Sequence, residues 1–284
     1  MTQLRIVLIT VLSLIAFAAN SLIARYALDQ TNIDEASFSL IRIVSGALFL
    51  WLYLIIKKDN SALKSGTWFA ALALFIYAVS FTYGYKLIAA GTGALILFGS
   101  VQITMTLVGY REGERLNATQ IIGFLLAFSG VVLLMLPGIA APSFMGSLLM
   151  CISGVAWGIY TLKGRGSNNP TTATAGNFIK ASPLAIILWV GVYLANDNII
   201  VLDNTGMLYA LLSGVVTSGM GYVLWYSVLP ALKATQAAVL QLSVPLIVTL
   251  AGSLLLGEAI TLPIIIASLA IIIGTALVLR FKKR

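Results

Sequence analysis

The residues with chemistry to offer are amides, hydroxyls and aromatic rings at helical spacing inside long apolar runs. Tyr77, Ser80 and Gly84 fall on one face of a helix, and Ser218, Tyr222 and Trp225 do the same later in the chain. Phe98 and Gln102 stand four apart in a further run, with Gln241 in the corresponding place of a later one. Asn20, Trp157 and Tyr160 add an amide, an indole and a phenol. Polar groups at membrane depth are costly unless turned away from lipid. These faces are therefore expected to converge on a central cavity, whose walls suit a neutral or zwitterionic solute with an apolar body.

Bond-making chemistry has few parts here. The chain has no histidine and a single cysteine, which removes His-based metal sites, Ser–His hydrolysis and an intrachain disulfide. No carboxylate lies in the middle of an apolar run, and Glu114 and Glu258 sit in loops. A membrane proton relay and an intramembrane enzyme site therefore lack obvious parts, and coupling through a bound ion or an edge acid stays open. The expectation is a protein that is not an enzyme and holds no cofactor and no metal.

The elements that must carry these side chains are legible from hydropathy. A hydrophobic fraction of 60%, a charged fraction of 9% and a mean hydropathy of +1.02 exclude a soluble globular domain. Ten apolar runs follow one another, over 4–27, 36–56, 66–88, 90–110, 118–137, 143–163, 172–195, 206–229, 233–256 and 261–281. Each is about the 20 residues that cross a bilayer as a helix. The fold class is all-α membrane protein with ten transmembrane helices. The first run outlasts a signal-peptide core and reads as a retained helix.

The net charge of +8 is an orientation device rather than a nucleic-acid surface. With the N-terminus in the cytoplasm, inner segments hold Lys57, Lys58, Lys64, Arg111, Arg115, Lys163, Arg165, Lys233 and the basic C-terminus, whereas outer ones hold only Arg25 and Lys86. That bias puts both termini inside.

The chain is also written twice. Gly113-Glu114-Arg115-Leu116 returns as Gly257-Glu258-Ala259-Ile260, with Gly130 and Gly274 at the same offset beyond. Five helices per copy is an odd number, so the second copy enters the membrane from the opposite side. The expected units are 1–138 and 143–284, related as inverted repeats.

The segment Tyr83-Gly84-Tyr85-Lys86-Leu87-Ile88-Ala89-Ala90-Gly91-Thr92-Gly93-Ala94, followed by Gly113-Glu114-Arg115-Leu116, resembles an EamA domain. Trp225-Tyr226 through Ala234-Thr235-Gln236-Ala237, then Pro245 and Leu256-Gly257-Glu258, form its second copy. Trp157-Gly158 with Arg165 resembles the pattern of the domain's first helix, and Phe17-Ala18 with Asn20 and Arg25 is the counterpart. The resemblance implies a ten-helix carrier of the drug/metabolite transporter superfamily, whose bacterial members mostly export amino acids and related metabolites across the inner membrane. Alternatives remain open: a carrier of nucleotide sugars, polyamines or drugs, or a non-transporting scaffold. The expected partners are a small zwitterionic substrate and the lipid bilayer, not nucleic acid, with the chain a monomer or a homodimer.

Three charged features remain. Arg42 lies only a few residues into its run, where its long side chain is expected to snorkel to the outer surface. Lys180 lies deeper, and aligning Trp51 with Trp189 makes it the repeat partner of Arg42. It is a candidate for attracting a substrate carboxylate, with a structural role as the alternative. Glu114 and Glu258 are expected to cap the helices that follow them.

Overall fold

In the computed structural model, residues 3–59, 61–111, 117–135, 142–165, 169–195, 201–228, 240–241 and 243–280 are described. They form ten helices in the order of the ten apolar runs. These are α1 (Gln3–Gln30), α2 (Glu35–Ile56), α3 (Trp68–Leu87), α4 (Ala90–Arg111), α5 (Ala118–Met135), α6 (Phe144–Arg165), α7 (Pro170–Ala195), α8 (Asn204–Val228), α9 (Ser243–Leu256) and α10 (Leu262–Arg280). Among the described residues, seven helices are long and apolar enough to cross a membrane: α1–α4 and α6–α8. The apolar stretches of α5, α9 and α10 are shorter. Residues 240 and 241 are also helical.

Helix starts follow local chemistry. The Asp34 side chain accepts the Ser37 N–H at 2.8 Å, and Asp203 accepts that of Gly206 at 2.7 Å. Thr67 caps α3 by accepting from Ala70 N–H. Asn117 and Gln120 bond reciprocally at 2.9 Å at the start of α5, each side chain taking the other's backbone N–H. Such residues satisfy the N–H groups that a helix's first turn leaves orphaned. Gly257, at φ +67°, ends α9 in the left-handed conformation that favours glycine.

The two halves pack as exchanged copies. Helix α3 lies on α6 as α1 lies on α8; α4 lies on α6 as α1 lies on α9; α3 meets α7 as α2 meets α8. The equivalent pairs α2–α7, α4–α9 and α5–α10 touch each other directly. The repeated glycines show the exchange at atomic scale. A Cβ on Gly130 would meet Ile271 at 2.8 Å and the Ala267 carbonyl at 3.1 Å. One on Gly274 would meet the backbone of Gly123 and Ala127 at 2.5 Å. Early residues of α5 thus meet late residues of α10, and the two helices run antiparallel. The repeated glycine lets their backbones approach closely.

Outside this core, Leu48, Leu52, Ile122, Leu125, Ile187 and Leu254 present apolar side chains outward, as lipid-facing helices do. Inside it, α8 departs from α-helical geometry: Ser213–Met220 is π-helical, a local widening found mostly at functional sites. This stretch presses on α2, because any side chain on Gly214 would collide with the Arg42 carbonyl and the Ser45 hydroxyl.

Candidate functional site

A small cavity lies where α1, α3, α4, α6 and α8 meet. Its walls are Phe17, Asn20, Ser21, Tyr77, Phe81, Leu97, Phe98, Trp157 and Tyr222. At about 20 Å³ it has room for one water molecule and none for a metabolite. The aromatic walls touch one another across the two halves. The Trp157 ring lies 4.8 Å from that of Tyr77, 5.1 Å from Tyr222 and 6.1 Å from Phe17. Phe17 and Trp157 hold corresponding places in the two copies, so the contact joins equivalent residues.

Asn20 ties three helices together. Its carbonyl oxygen accepts from the hydroxyls of Ser213 at 2.7 Å and Thr217 at 2.9 Å, and its amide reaches the Tyr77 hydroxyl at 3.5 Å. The π-helical stretch of α8 supplies both hydroxyls. The next of its residues, Ser218, accepts from Arg42 Nε at 3.3 Å.

Arg42 is the main correction to the sequence reading. It does not snorkel to the surface; it is 2% exposed, in the centre of the bundle. Its Nη2 donates to the Tyr77 hydroxyl at 3.1 Å, and its guanidinium carbon stands 4.6 Å from the Phe81 ring centre and 5.2 Å from that of Tyr77. Both rings are cavity walls. Nη1 has no hydrogen-bond partner among the described residues, and no described carboxylate comes within ion-pair distance. The sequence carried a signal for this placement: Phe38, Ser39, Arg42, Ser45 and Gly46 form one buried stripe of α2, with Leu48 and Leu52 on its outer side.

Of the other predicted residues, Asn20, Tyr77, Phe98, Trp157 and Tyr222 come together as cavity walls. Tyr160 and Trp225 stand behind those walls, with ring contacts to Trp157 and Phe17, and the Tyr160 hydroxyl bonds Thr174. Ser218 joins through Arg42. Ser80 is buried but donates to the Ile76 carbonyl of its own helix at 2.6 Å. Gln102 and Gln241 are buried without forming part of the wall.

Lys180 lies apart. Its ammonium donates to the Ser65 carbonyl in the α2–α3 loop, a segment laid against the start of α7. Asn177 accepts the Thr67 N–H at 2.9 Å, and Thr172 donates to Asp59 at 2.9 Å in the same contact. Asp59 also accepts from the Ser61 side chain and N–H, and these bonds hold its carboxyl below the usual aspartate range.

At the other end of the cavity the helices are tied shut. Glu258 does not cap its own following helix, as expected; it caps α4 in the other half, accepting from Ala90 N–H at 2.8 Å and Gly91 N–H at 3.4 Å. Its carboxylate also meets Arg25 at 3.4 Å. Arg25 in turn pairs with Asp29 at 3.0 Å and donates to the Tyr85 carbonyl at 3.0 Å, while Lys86 donates to the Leu28 carbonyl at 2.8 Å. The ends of α1, α3 and α4 and the α9–α10 loop are thereby joined. Glu114, the counterpart of Glu258, lies outside the described residues.

The model of the EamA-like transporter family matches the chain twice, over residues 4–136 and 144–280. An uncharacterized protein of Pseudomonas aeruginosa is 48% identical over 98% of this chain and 96% of its own length. More distant relatives include proteins described as probable amino-acid metabolite efflux pumps. That of Escherichia coli is 27% identical over 68% of this chain and 67% of its own. That of Salmonella typhimurium is 28% identical over 61% of each. A solved structure titled only as the crystal structure of a protein superposes with a TM-score of 0.69 at 16% identity, covering 98% of both chains. At that identity the likeness concerns the fold.

Proposed function

The chain belongs to the EamA-like transporter family and is a multi-pass membrane protein, and on that premise we propose that it is an alternating-access exporter of small metabolites, amino acids foremost, in a bacterial inner membrane. The observation that carries this reading is the cavity itself. Polar and aromatic side chains from both halves meet at their interface and close on a space too small for a solute. A carrier held between its open states has this form, and helices that only pack have no need of it.

The units 1–138 and 143–284 act as inverted repeats with both termini in the cytoplasm. Support comes from the antiparallel α5–α10 pair, from the exchanged contacts and from the distribution of basic residues. On that topology the Arg25–Glu258 cluster closes the outer side. Outward release then requires Glu258 to leave the start of α4 and Arg25 to leave the end of α3. The α9–α10 loop lies in one half and α4 and Arg25 in the other, so a rocking of one half against the other breaks the Glu258 bonds to both. The Arg25–Tyr85 bond within the first half yields to a movement of α1 against α3. Asn20, Tyr77, Phe98, Trp157 and Tyr222 contact the solute as the helices part. Amino-acid export is supported by the names of the two distant relatives.

Flux of radiolabelled amino acids into or out of proteoliposomes tests the reading. Saturable flux that falls in Trp157→Ala is the expected result. A folded protein that moves no solute of the panel overturns it.

A further inference from the structure

The unexplained group at the centre of this molecule is the guanidinium of Arg42. A buried cation without a counter-charge is expensive, because hydroxyls and ring faces return only part of the hydration it gives up. Arg42 has two hydroxyl acceptors and two aromatic faces, while its Nη1 stays unused among the described residues. It is also fixed in place: Gly214 of α8 packs against its backbone, and Ser218 and Tyr77 hold Nε and Nη2. The buried Tyr222 hydroxyl, on the cavity wall, likewise has no well-formed hydrogen bond among the described residues. This rigid fork of donors is set against Tyr77 and Phe81, two walls of a largely aromatic cavity. It fits one ligand chemistry better than others: a carboxylate, which accepts two parallel N–H bonds from guanidinium once those rings part.

We infer that Arg42 is the anchor for the carboxylate of the transported solute, and that the site takes small monocarboxylates whose apolar bodies lie against Phe17, Trp157 and Tyr222. This rests on the transporter reading and narrows it from metabolites in general to acids. The solute brings the counter-charge that the described protein does not supply, and its carboxylate completes the bonding of Nη1. Solutes with a cation and no carboxylate, such as polyamines and decarboxylated amines, are repelled by the same charge.

The test pairs molecules that differ only in that group. Tryptophan fluorescence, reported by Trp157 and Trp225 beside the cavity, is titrated in the purified full-length protein with leucine, 4-methylpentanoate, leucinamide and isopentylamine. The matching phenylalanine set follows, with flux of the same solutes measured in proteoliposomes. The acids are expected to bind and the amides and amines to bind at least about tenfold more weakly, the loss of one charge-assisted interaction. Arg42→Gln, where folded, is expected to abolish that preference, and Arg42→Lys to restore part of it. Because the acid–amide comparison needs only the unaltered protein, it stands even where a variant fails to fold.

Equal binding of acid and amide, no binding of any acid, or a preference that survives Arg42→Gln overturns the inference. A response to sodium chloride as large as that to the acids also overturns it, leaving an unspecific anion site. Equal flux of acids and amides defeats the anchor but leaves the transporter. Acid-selective binding without any flux supports the anchor and defeats the transporter.

Discussion

Arg42 and Lys180 stand at corresponding places in the two copies of the sequence, yet the fold treats them in opposite ways. Arg42 is sealed in the core against hydroxyls and rings, with one nitrogen unpartnered among the described residues. Lys180 is half-buried and satisfied by a backbone carbonyl of the loop between α2 and α3. Arg25 and Lys86 also find carbonyl or carboxylate oxygens. The difference separates two uses of a cation in a membrane bundle. One fastens elements together and is finished when the protein folds; the other is held in reserve, with bonding capacity left for something that arrives later. Duplication supplied two copies of the position, and the surroundings decided which kept a free donor.

The largest expected effect comes from breaking the wall behind Arg42. Gly214 admits no side chain there without a collision with backbone, so Gly214→Leu is expected to cost about 3 kcal/mol. Thermal unfolding in detergent measures the loss. An unchanged midpoint means that the α2–α8 contact does not fix the arginine. Glu258→Ala comes next, since it removes a carboxylate from Arg25 and from two orphan N–H groups at the start of α4. About 1–2 kcal/mol is expected, reduced from the buried value by partial exposure. It should also open the outer end, raising labelling of a cysteine placed at Tyr85 by a membrane-impermeant reagent. Unaltered labelling would show that the cluster is no closure.

The two copies were legible because the family pattern is written twice in the sequence, and the helices because they answer to the bilayer. Its thickness fixes the length of each apolar run, and it leaves a helix as the only form for such a run. Gly130 and Gly274 marked only the repeat in the sequence; that they sit at a tight α5–α10 crossing emerged from the fold. The site was legible only where a face of one helix carries it, as with Tyr77 or with Phe98. Arg42 was misread because counting residues gives depth and not rotation: a cation a few residues into its helix can reach the surface only if its face looks outward, and this one looks at α8. For Lys180 the structural alternative matches the bond observed, since a loop from the other half meets it. Glu258 obeyed the capping rule on the wrong helix. A carboxylate caps whichever helix start lies nearest in space, and α4 is nearer than α10 only once the two halves are assembled.

Smaller effects test the fastening side of the comparison. Lys180→Met gives up one hydrogen bond to Ser65, while Asn177 and Asp59 continue to hold the loop. A loss of about 1 kcal/mol in thermal stability is expected, with the preference for acids over amides intact. A lost preference would return Lys180 to the substrate path.

The smallest effect belongs to Asp59, which is partly exposed and accepts from Ser61 and Thr172. Its folded pKa lies below the unfolded one, so its bonds favour the docked loop at every pH above the ordinary aspartate value of about 4. That contribution fades as pH falls through the lower, folded value, where the carboxylate takes up its proton. Hydrogen exchange of residues 61–67 should therefore stay protected from neutral pH down to about 4 and lose protection below. In Asp59→Asn, protection should be weaker at neutral pH and nearly flat across the same range. Equal pH profiles for the two proteins would mean that the loop is held by Asn177 and Lys180 alone. The fastening cation would then be doing more than its single hydrogen bond suggests, and the contrast with Arg42 would sharpen.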